Sequence, residues 1–279
     1  MSRNGLDSTS LKYRLQILEI LRKARRGHIG SALSVLEIIR VLFDNVLKYD
    51  PKNPTWEMRD RFILSKGHGC LALYVILAEK GFFPKEELLK FCTPEGILGG
   101  HPEHVKIPGV EASTGSLGHG LSIGIGMALA AKMDRKDHRI FILLGDGECN
   151  EGSVWEAALS ASKHKLNRLT AIVDYNKMQC YSSTSEVLEL EPFAEKWRSF
   201  GFEVREVDGH NIAALQQAFS EMPFHEKKPN LLICQTIKGR GLPEIENNPA
   251  WHHKSLAKDE DLTPLIRYLS TIEDRMILD

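Results

Sequence analysis

One stretch of the chain constrains its fold more than any other, because it contains a strand, a helix and a second strand in succession. Residues 140–144 form an uninterrupted apolar run, rich in β-branched side chains and short enough for a strand buried on both faces of a parallel sheet. The run ends at Gly145-Asp146-Gly147, where two glycines allow a tight turn. A helix is predicted over residues 152–164 and a second strand over residues 169–173. This unit predicts an α/β fold with a parallel sheet.

Polar side chains follow each of these two strands. Asp146 comes after the first strand, and Asn176 comes shortly after the second. Because the carboxyl ends of parallel strands form the edge where α/β sheets bind ligands, the two side chains are expected to lie together. A carboxylate oxygen, an amide oxygen and a nearby backbone carbonyl suit a hard divalent ion such as Mg²⁺, which often shares its ligands with a phosphate. Gly-Asp-Gly alone would more often be a simple turn, but the later asparagine favours a metal site.

The composition argues against several other classes of protein. The 279 residues are enough for one large α/β domain or two small ones, and 42% apolar and 26% charged residues are ordinary for a soluble protein. A net charge of −1 gives no field to attract nucleic acid or an acidic membrane. The five scattered cysteines lack Cys-x-x-Cys spacing, so neither a disulfide framework nor a zinc site is predicted, and a cytoplasmic location is expected. No signal peptide or membrane span is predicted.

The rest of the chain alternates between helices and strands, which predicts a doubly wound, mainly parallel sheet flanked by helices. Further strands are predicted at residues 61–65, 203–207 and 231–236. Further helices are predicted at residues 8–26, 35–47, 70–80, 121–132, 193–200, 212–219 and 262–269. Ser34 and Glu37 have the spacing of a capping box that would start the helix at 35–47.

Three glycines, Gly120, Gly124 and Gly126, fall at the start of or within one predicted helix. Each glycine inside a helix costs roughly 1 kcal/mol relative to alanine. Such a cost indicates that a ligand or another backbone approaches closely. The alternative is tight helix packing, including packing across a subunit interface, and both can hold together.

Several loops combine glycine with histidine. His28 lies in Gly27-His28-Ile29-Gly30-Ser31, and His101 lies in Gly99-Gly100-His101-Pro102. His68 lies in a glycine-rich turn that leads from a strand into a helix N-terminus, a place that favours anions. A histidine with its ordinary pKa near 6.5 can exchange protons with hydroxyl groups at neutral pH. Each loop by itself is weak evidence, because a single loop histidine is more often structural.

Together these loops resemble the amino-terminal part of transketolase, a thiamine diphosphate enzyme. The matching stretches are Gly27-His28-x-x-Ser31, Gly67-His68-Gly69, Gly100-His101-Pro102-Glu103, Thr114-Gly115-Ser116-Leu117-Gly118, Gly145-Asp146-Gly147 through Asn176, Lys238-Gly239-Arg240-Gly241 and Trp251-His252-x-Lys254. The set covers nearly the whole chain in the family's order, which makes it highly specific. The chain departs from the family at Ile29-Gly30, which replaces the commoner proline-containing pair and leaves His28 in place.

The resemblance implies a set of site residues. The side chains of Asp146 and Asn176 and the backbone carbonyl of Met178 would bind Mg²⁺, or Ca²⁺ or Mn²⁺ in its place. The residues that would contact thiamine diphosphate are Ser31, His68, Gly115, Ser116, Leu117, Gly147, Asn176, Lys238 and His252. The catalytic histidines would be His28, His101 and His252, which would bind sugar hydroxyls and assist proton transfer. Glu151 would lie near the interface between two active sites.

The resemblance also implies a partner. Residues 1–279 would form a single diphosphate-type thiamine diphosphate-binding domain, whereas transketolases usually continue into pyrimidine-binding and C-terminal domains. Those domains are expected on a second subunit, together with the glutamate that activates the cofactor. Because each active site in the family forms between domains of opposite units, an α2β2 heterotetramer is expected, with the isolated chain inactive. The implied reaction, part of pentose phosphate metabolism, transfers a two-carbon ketol group from a ketose phosphate to an aldose phosphate.

Other functions stay open at this point. The donor could be a specialised ketose, either branched such as apulose phosphate or sulfonated. Deoxyxylulose-phosphate synthase and 2-oxoacid dehydrogenase subunits share the Gly-Asp-Gly core, but the loops at 100–103 and 114–118 favour transketolase. A non-catalytic regulatory subunit is the alternative from another class. It would be expected to have lost the ion ligands, yet Asp146 and Asn176 are present.

Overall fold

A five-stranded parallel sheet forms the centre of the protein, whose computed structural model describes residues 6–256 and 262–278. The strands of the described residues are β1 (Arg26–Gly27), β2 (Arg61–Leu64), β3 (Ile140–Gly145), β4 (Leu169–Tyr175), β5 (Glu203–Asp208), β6 (Asn230–Gln235) and β7 (Lys254–Ser255). Strands β1 and β7 form a separate two-stranded sheet. The central sheet has the order β2-β3-β4-β6-β5, with all neighbours parallel. The predicted fold class is confirmed.

Helices cover both faces of this sheet. They are α1 (Ser8–Ala24), α2 (Ile29–Val41), α3 (Cys70–Glu79), α4 (Gly120–Met133), α5 (Gly152–Lys163), α6 (Thr184–Val187), α7 (Phe193–Ser199), α8 (Ile212–Ser220) and α9 (Thr263–Leu278). Side chains alternate across a strand, so Phe141 and Leu143 of β3 pack into the core that includes α1, α2 and α3. Ile142 and Leu144 pack into the opposite core, beneath α4, α5 and α7. The central strands therefore read as continuous apolar runs because both of their faces are covered.

The predicted capping box at Ser34 and Glu37 is wrong. Helix α2 begins at Ile29 directly after His28, so both residues lie inside the helix, where they are almost fully buried. Ser34 donates to Asp174 at 2.7 Å, and Glu37 pairs with side chains from other elements. Ser34 and Glu37 therefore have the spacing of a local cap, but their side chains bind residues far away in the sequence.

Other predicted boundaries agree with the structure to within two residues, with two exceptions. Helix α2 ends at Val41 and is followed by a π-helical segment at Leu42–Val46, whereas the predicted helix continued to residue 47. Helix α9 extends to Leu278, well beyond the predicted end at residue 269. The short strands β1 and β7 were not predicted. They pair antiparallel, with Gly27 opposite Lys254, and this pairing brings the loop of His28 next to the loop of His252.

The three glycines of α4 have different surroundings. A Cβ on Gly120 would overlap the side chain of Ser65, and a Cβ on Gly124 would lie 2.6 Å from Ile142 Cγ1. Close packing against the sheet therefore accounts for both. A Cβ on Gly126 would meet no atom within 4 Å, so packing within the described part of the chain does not explain this glycine.

The outer face of α4 is apolar. Ile123, Gly126, Ala130 and Met133 are exposed at helical spacing, and Met133 is 81% exposed. We call these four residues the α4 stripe. A helix that is apolar on its outer face as well as its inner face is typical of a helix buried on both sides. Among the described residues, no helix combines the length and apolarity needed to cross a membrane.

Candidate functional site

The loops after the parallel strands meet at one edge of the sheet and line a cleft of about 250 Å³. The predicted site residues that line it are His28, Ser31, His68, His101, Gly115, Leu117, Asp146, Gly147, Asn176, Met178, Lys238 and His252. Ser116 is exposed between two of these residues and does not itself line the cleft. The fold thus gathers into one place loops that are far apart in the sequence.

Asp146 and Asn176 follow the paired ends of β3 and β4. Asp146 is 3% exposed, and its carboxylate oxygens accept hydrogen bonds from the backbone amides of Gly147 at 2.7 Å and Lys177 at 2.5 Å. Asn176 Oδ1 accepts from the Met178 amide at 3.0 Å. Burial raises the pKa of Asp146 to about 7. A bound cation would therefore stabilise the charged form of this carboxylate.

An ion pair between Lys66 and Asp174 lies in the wall of the cleft. Both side chains are almost completely buried, and Lys66 Nζ donates to Asp174 Oδ2. Asp174 also accepts from the Ser34 hydroxyl at 2.7 Å, from Asn176 Nδ2 at 2.9 Å and from the Thr236 hydroxyl. Because the amide nitrogen of Asn176 donates to Asp174, the Oδ1 of Asn176 points away from this carboxylate and is available to accept from the Met178 amide or to bind a ligand.

Glu148 ties the Gly-Asp-Gly turn to the loop at residues 113–118. Its Oε1 accepts from the Ser65 hydroxyl at 2.5 Å and from the Gly118 amide at 2.9 Å. Its Oε2 accepts from the Gly145 amide at 3.0 Å. Burial raises the pKa of Glu148. The side chain contributes to the shape of the cleft by fixing three segments of the chain.

Lys238 is a buried cation on the loop after β6. Its ammonium donates to the backbone carbonyls of Gln179 at 3.0 Å and Met178 at 3.3 Å, and it lies 2.7 Å from His252 Nδ1. Because an ammonium group can only donate, this imidazole nitrogen accepts. Burial lowers the pKa of Lys238 to about 8, with a further contribution from nearby Lys66. An anionic ligand in the cleft would further stabilise the charged form.

Five histidines form a cluster on one side of the cleft, with His28 in contact with each of the other four. The distance from its ring centroid is 5.4 Å to His68, 6.0 Å to His101, 5.6 Å to His252 and 4.6 Å to His253. The pairing of β1 with β7 produces this arrangement, because it holds the loop of His28 against the loop of His252.

Four of these histidines, His28, His68, His101 and His252, are neutral near pH 7. Burial lowers the pKa of His28 to about 4 and that of His252 to about 3, and neighbouring imidazoles and Lys238 lower both further. Burial also lowers the pKa of His68 and of His101. A neutral imidazole has one donor and one acceptor nitrogen. The cluster can therefore donate hydrogen bonds to hydroxyl groups, accept hydrogen bonds from them and exchange protons with them.

Sequence reasoning did not assign a role to four further residues of this region, Lys66, Glu148, Gln179 and His253. All except His253 line the cleft, and His253 contacts His28. Lys66 and Glu148 each adjoin a glycine motif, and this position in the sequence could have indicated that they belong to the site. Their partners lie far along the chain, so no local spacing reveals the contacts.

The donor set fits a divalent ion together with an anionic ligand. Asp146 and Asn176 supply oxygens at one end of the cleft, and Lys238 and His68 supply N–H groups close by. Among the residues that the structure describes, no three His, Cys, Asp or Glu side chains are grouped so as to hold a metal ion. An ion here would take its other ligands from backbone carbonyls and from the bound ligand.

The fold and the cleft define an α/β protein that can hold an ion and an anionic ligand at the carboxyl edge of a parallel sheet. The chain belongs to the transketolase family, because residues 8–268 match the family model for the transketolase thiamine diphosphate binding domain.

Two relatives show how the chain compares with members of the family that have a similar length. It is 43% identical to one subunit of an apulose-4-phosphate transketolase from Phocaeicola vulgatus, covering 89% of this chain and 88% of the relative. It is 42% identical to one subunit of a 6-deoxy-6-sulfo-D-fructose transketolase from a Clostridium species, covering 87% and 88%. Both relatives are named as subunits, and their lengths are similar to that of this chain.

Longer transketolases match over only part of their length. The crystal structure of transketolase from Campylobacter jejuni superposes with a TM-score of 0.89 at 31% identity, covering 98% of this chain and 43% of that one. Human transketolase is 37% identical over 91% of this chain and 40% of its own length. The chain thus spans about two fifths of these proteins.

Proposed function

We propose that this chain is the thiamine diphosphate-binding subunit of a transketolase that moves a two-carbon ketol group from a ketose phosphate to an aldose phosphate. The observation that carries the proposal is the cleft itself. It combines buried oxygen ligands, buried N–H donors for a diphosphate and a cluster of neutral histidines.

The proposed ion ligands are the side chains of Asp146 and Asn176 and the carbonyl of Met178, with Mg²⁺, Ca²⁺ or Mn²⁺ as the ion. Thiamine diphosphate, when bound, supplies the carbanion chemistry, and the protein supplies position and electrostatics. Lys238 now donates to the Met178 carbonyl at 3.3 Å. Because an ammonium and a metal ion are both cations, they compete for this oxygen. A bound ion would therefore leave Lys238 free to donate to the diphosphate.

The proposed catalytic residues are His28, His101 and His252. Each is neutral near pH 7 through its lowered pKa, so His28 and His101 can each donate one hydrogen bond to a sugar hydroxyl or accept one from it. The Nδ1 of His252 already accepts from Lys238, so its Nε2–H is left to donate. In this scheme a neutral imidazole takes up the proton of a reacting hydroxyl and later returns it.

A partner chain is the second part of the proposal. The names of the relatives, which describe them as subunits, support it, and so does the exposed α4 stripe. The partner would carry the pyrimidine-binding domain and the activating glutamate, and the assembly would be an α2β2 heterotetramer in the cytoplasm. Affinity purification from native cells, followed by intact mass, should recover a second chain in equal number. Recovery of this chain alone, without cofactor, would contradict the proposal.

The substitution Asp146→Ala tests the cofactor site. In the assembled complex it should abolish Mg²⁺-dependent binding of thiamine diphosphate, measured by calorimetry, together with ketol transfer. A matched control is Asp137→Ala, which removes an 81% exposed carboxylate near the opposite end of β3. Normal activity in the Asp146 variant would refute the site. Cofactor binding without any turnover in the unmodified complex would favour a regulatory subunit instead.

A specialised ketose donor is the second candidate, and the names of the two relatives favour it. One is named for apulose 4-phosphate and the other for 6-deoxy-6-sulfo-D-fructose. The reconstituted complex should be assayed with these two sugars, with common ketose phosphates and with pyruvate. The highest kcat/KM identifies the donor. Preference for pyruvate would overturn the transketolase assignment.

A further inference from the structure

A buried ionic network connects α1, α2 and the loop after β5 to the loop that carries Lys238. Arg14, Glu37 and His210 form this network, with exposures of 0%, 1% and 8%. None of the three lines the cofactor cleft. Burying charged groups in a protein core costs free energy unless the groups are fully paired. The presence of these three residues in the core therefore calls for a functional explanation.

Arg14 uses all five of its N–H donors. Two go to the two oxygens of Glu37, at 2.6 and 3.0 Å. Two go to the backbone carbonyls of Ser10 at 3.1 Å and Leu33 at 3.4 Å. The last, from Nε, goes to the carbonyl of Arg240 at 2.8 Å. Arg14 therefore fixes a backbone position two residues after Lys238.

His210 fixes the other side of Lys238. Its Nε2 accepts from the backbone amide of Ile237 at 2.9 Å, so this nitrogen carries no proton. The proton is then on Nδ1, which donates to Glu37 at 2.9 Å. Burial by itself would raise the pKa of Glu37, but Arg14 and His210 hold it well below its ordinary value. One carboxylate thus orients both groups that hold the loop.

From this geometry we infer that Arg14, Glu37 and His210 are positioning residues that hold the loop at 237–240 so that Lys238 faces the cofactor diphosphate. The inference rests on the proposed function, because it concerns the same site. Lys238 lies between the two anchored positions, and its neighbour Gly239 is tied to the carbonyl of Gly30 at 3.0 Å. The network thereby fixes the backbone from which the ammonium reaches the cleft.

The test uses His210→Phe in the complex with the partner chain. Loss of Glu37 would leave Arg14 charged and unpaired in the core and could prevent folding, whereas phenylalanine keeps the ring and removes only two hydrogen bonds. Affinity for thiamine diphosphate with Mg²⁺ should fall about tenfold, the equivalent of one to two hydrogen bonds. His210→Gln, which keeps an acceptor for the Ile237 amide, should recover part of the loss.

A double-mutant cycle separates positioning from general damage. If His210 acts through Lys238, then His210→Phe should weaken binding no further in a Lys238→Ala background. Glu111→Gln is the matched control, since it weakens a similarly bidentate pair with Arg59 away from the cleft, at 2.6 and 2.7 Å. The control should lower stability without changing cofactor affinity.

Hydrogen exchange provides a readout that does not depend on the cofactor. The amides of residues 237–241 should exchange faster in His210→Phe than in the unmodified chain. Unchanged exchange, or additive losses in the double-mutant cycle, would overturn the inference. If the unmodified complex binds no thiamine diphosphate, the proposed function falls as well. Normal binding by both the unmodified complex and the His210 variant would refute the positioning role alone.

Discussion

Replacement of Lys66 by methionine would leave Asp174 buried without a cation. Burial by itself would raise the pKa of Asp174, and Lys66 holds it below its ordinary value. Removal of one member of a buried ion pair costs about 3–5 kcal/mol. Neutral hydrogen bonds from Ser34, Asn176 and Thr236 would still support the carboxylate. We therefore expect Lys66→Met to lower the free energy of unfolding by about 3 kcal/mol, the lower end of that range.

The assay is urea unfolding of the cofactor-free chain at pH 7, for Lys66→Met, Asp174→Asn and the double variant. Removal of both charges eliminates the unpaired ion, so the double variant should be more stable than Lys66→Met. Lys12→Met is the matched control, because Lys12 is 50% exposed in its pair with Glu79, and it should cost less than about 1 kcal/mol. A loss below about 1 kcal/mol for Lys66→Met, or strictly additive effects, would refute the reasoning.

Three further predictions concern packing, pH and assembly. A Cβ on Gly67 would lie 2.8 Å from the backbone nitrogen of Gly115, so Gly67→Ala should cost about 1–3 kcal/mol in thermal or urea unfolding. Gly152→Ala meets no atom within 4 Å and serves as its control; equal losses would contradict the packing argument. The pKa of His28 is about 4 in the folded protein against an ordinary 6.5, so the unfolded chain binds more protons between these values and stability falls as the pH drops from 6.5 to 4. His28→Asn should flatten this part of the stability profile, and an unchanged profile would count against it. Ile123→Glu should weaken assembly with the partner at least tenfold in sedimentation experiments, and undiminished assembly would remove the α4 stripe from the interface.

The central unit could be predicted because its signals are local. A buried strand, a glycine turn and a helix can each be recognised from a sequence pattern of a few residues, and the observed bounds of β3, α5 and β4 agree closely with the predicted ones. The loop motifs are local in the same sense. The resemblance to a known family then supplied the order in which the loops come together.

The buried polar contacts could not be predicted, because they join residues far apart in the chain. Glu37 had the spacing of a cap, but it pairs with Arg14 and His210, which lie 23 and 173 positions away. Lys66 and Asp174 are separated by 108 positions. No pattern within one element distinguishes such residues from solvent-exposed charges, so their roles emerged only from the folded structure.

The pairing of β1 with β7 also affects how the protein is made. The histidine cluster needs both His28 and His252, which are far apart along the chain. At ~5–20 residues per second, a ribosome needs roughly 10–45 s to synthesise the segment between them. The complete cleft therefore cannot exist on the nascent chain until His252 has been synthesised. The cofactor can stabilise the finished protein, but it cannot guide the early steps of its folding.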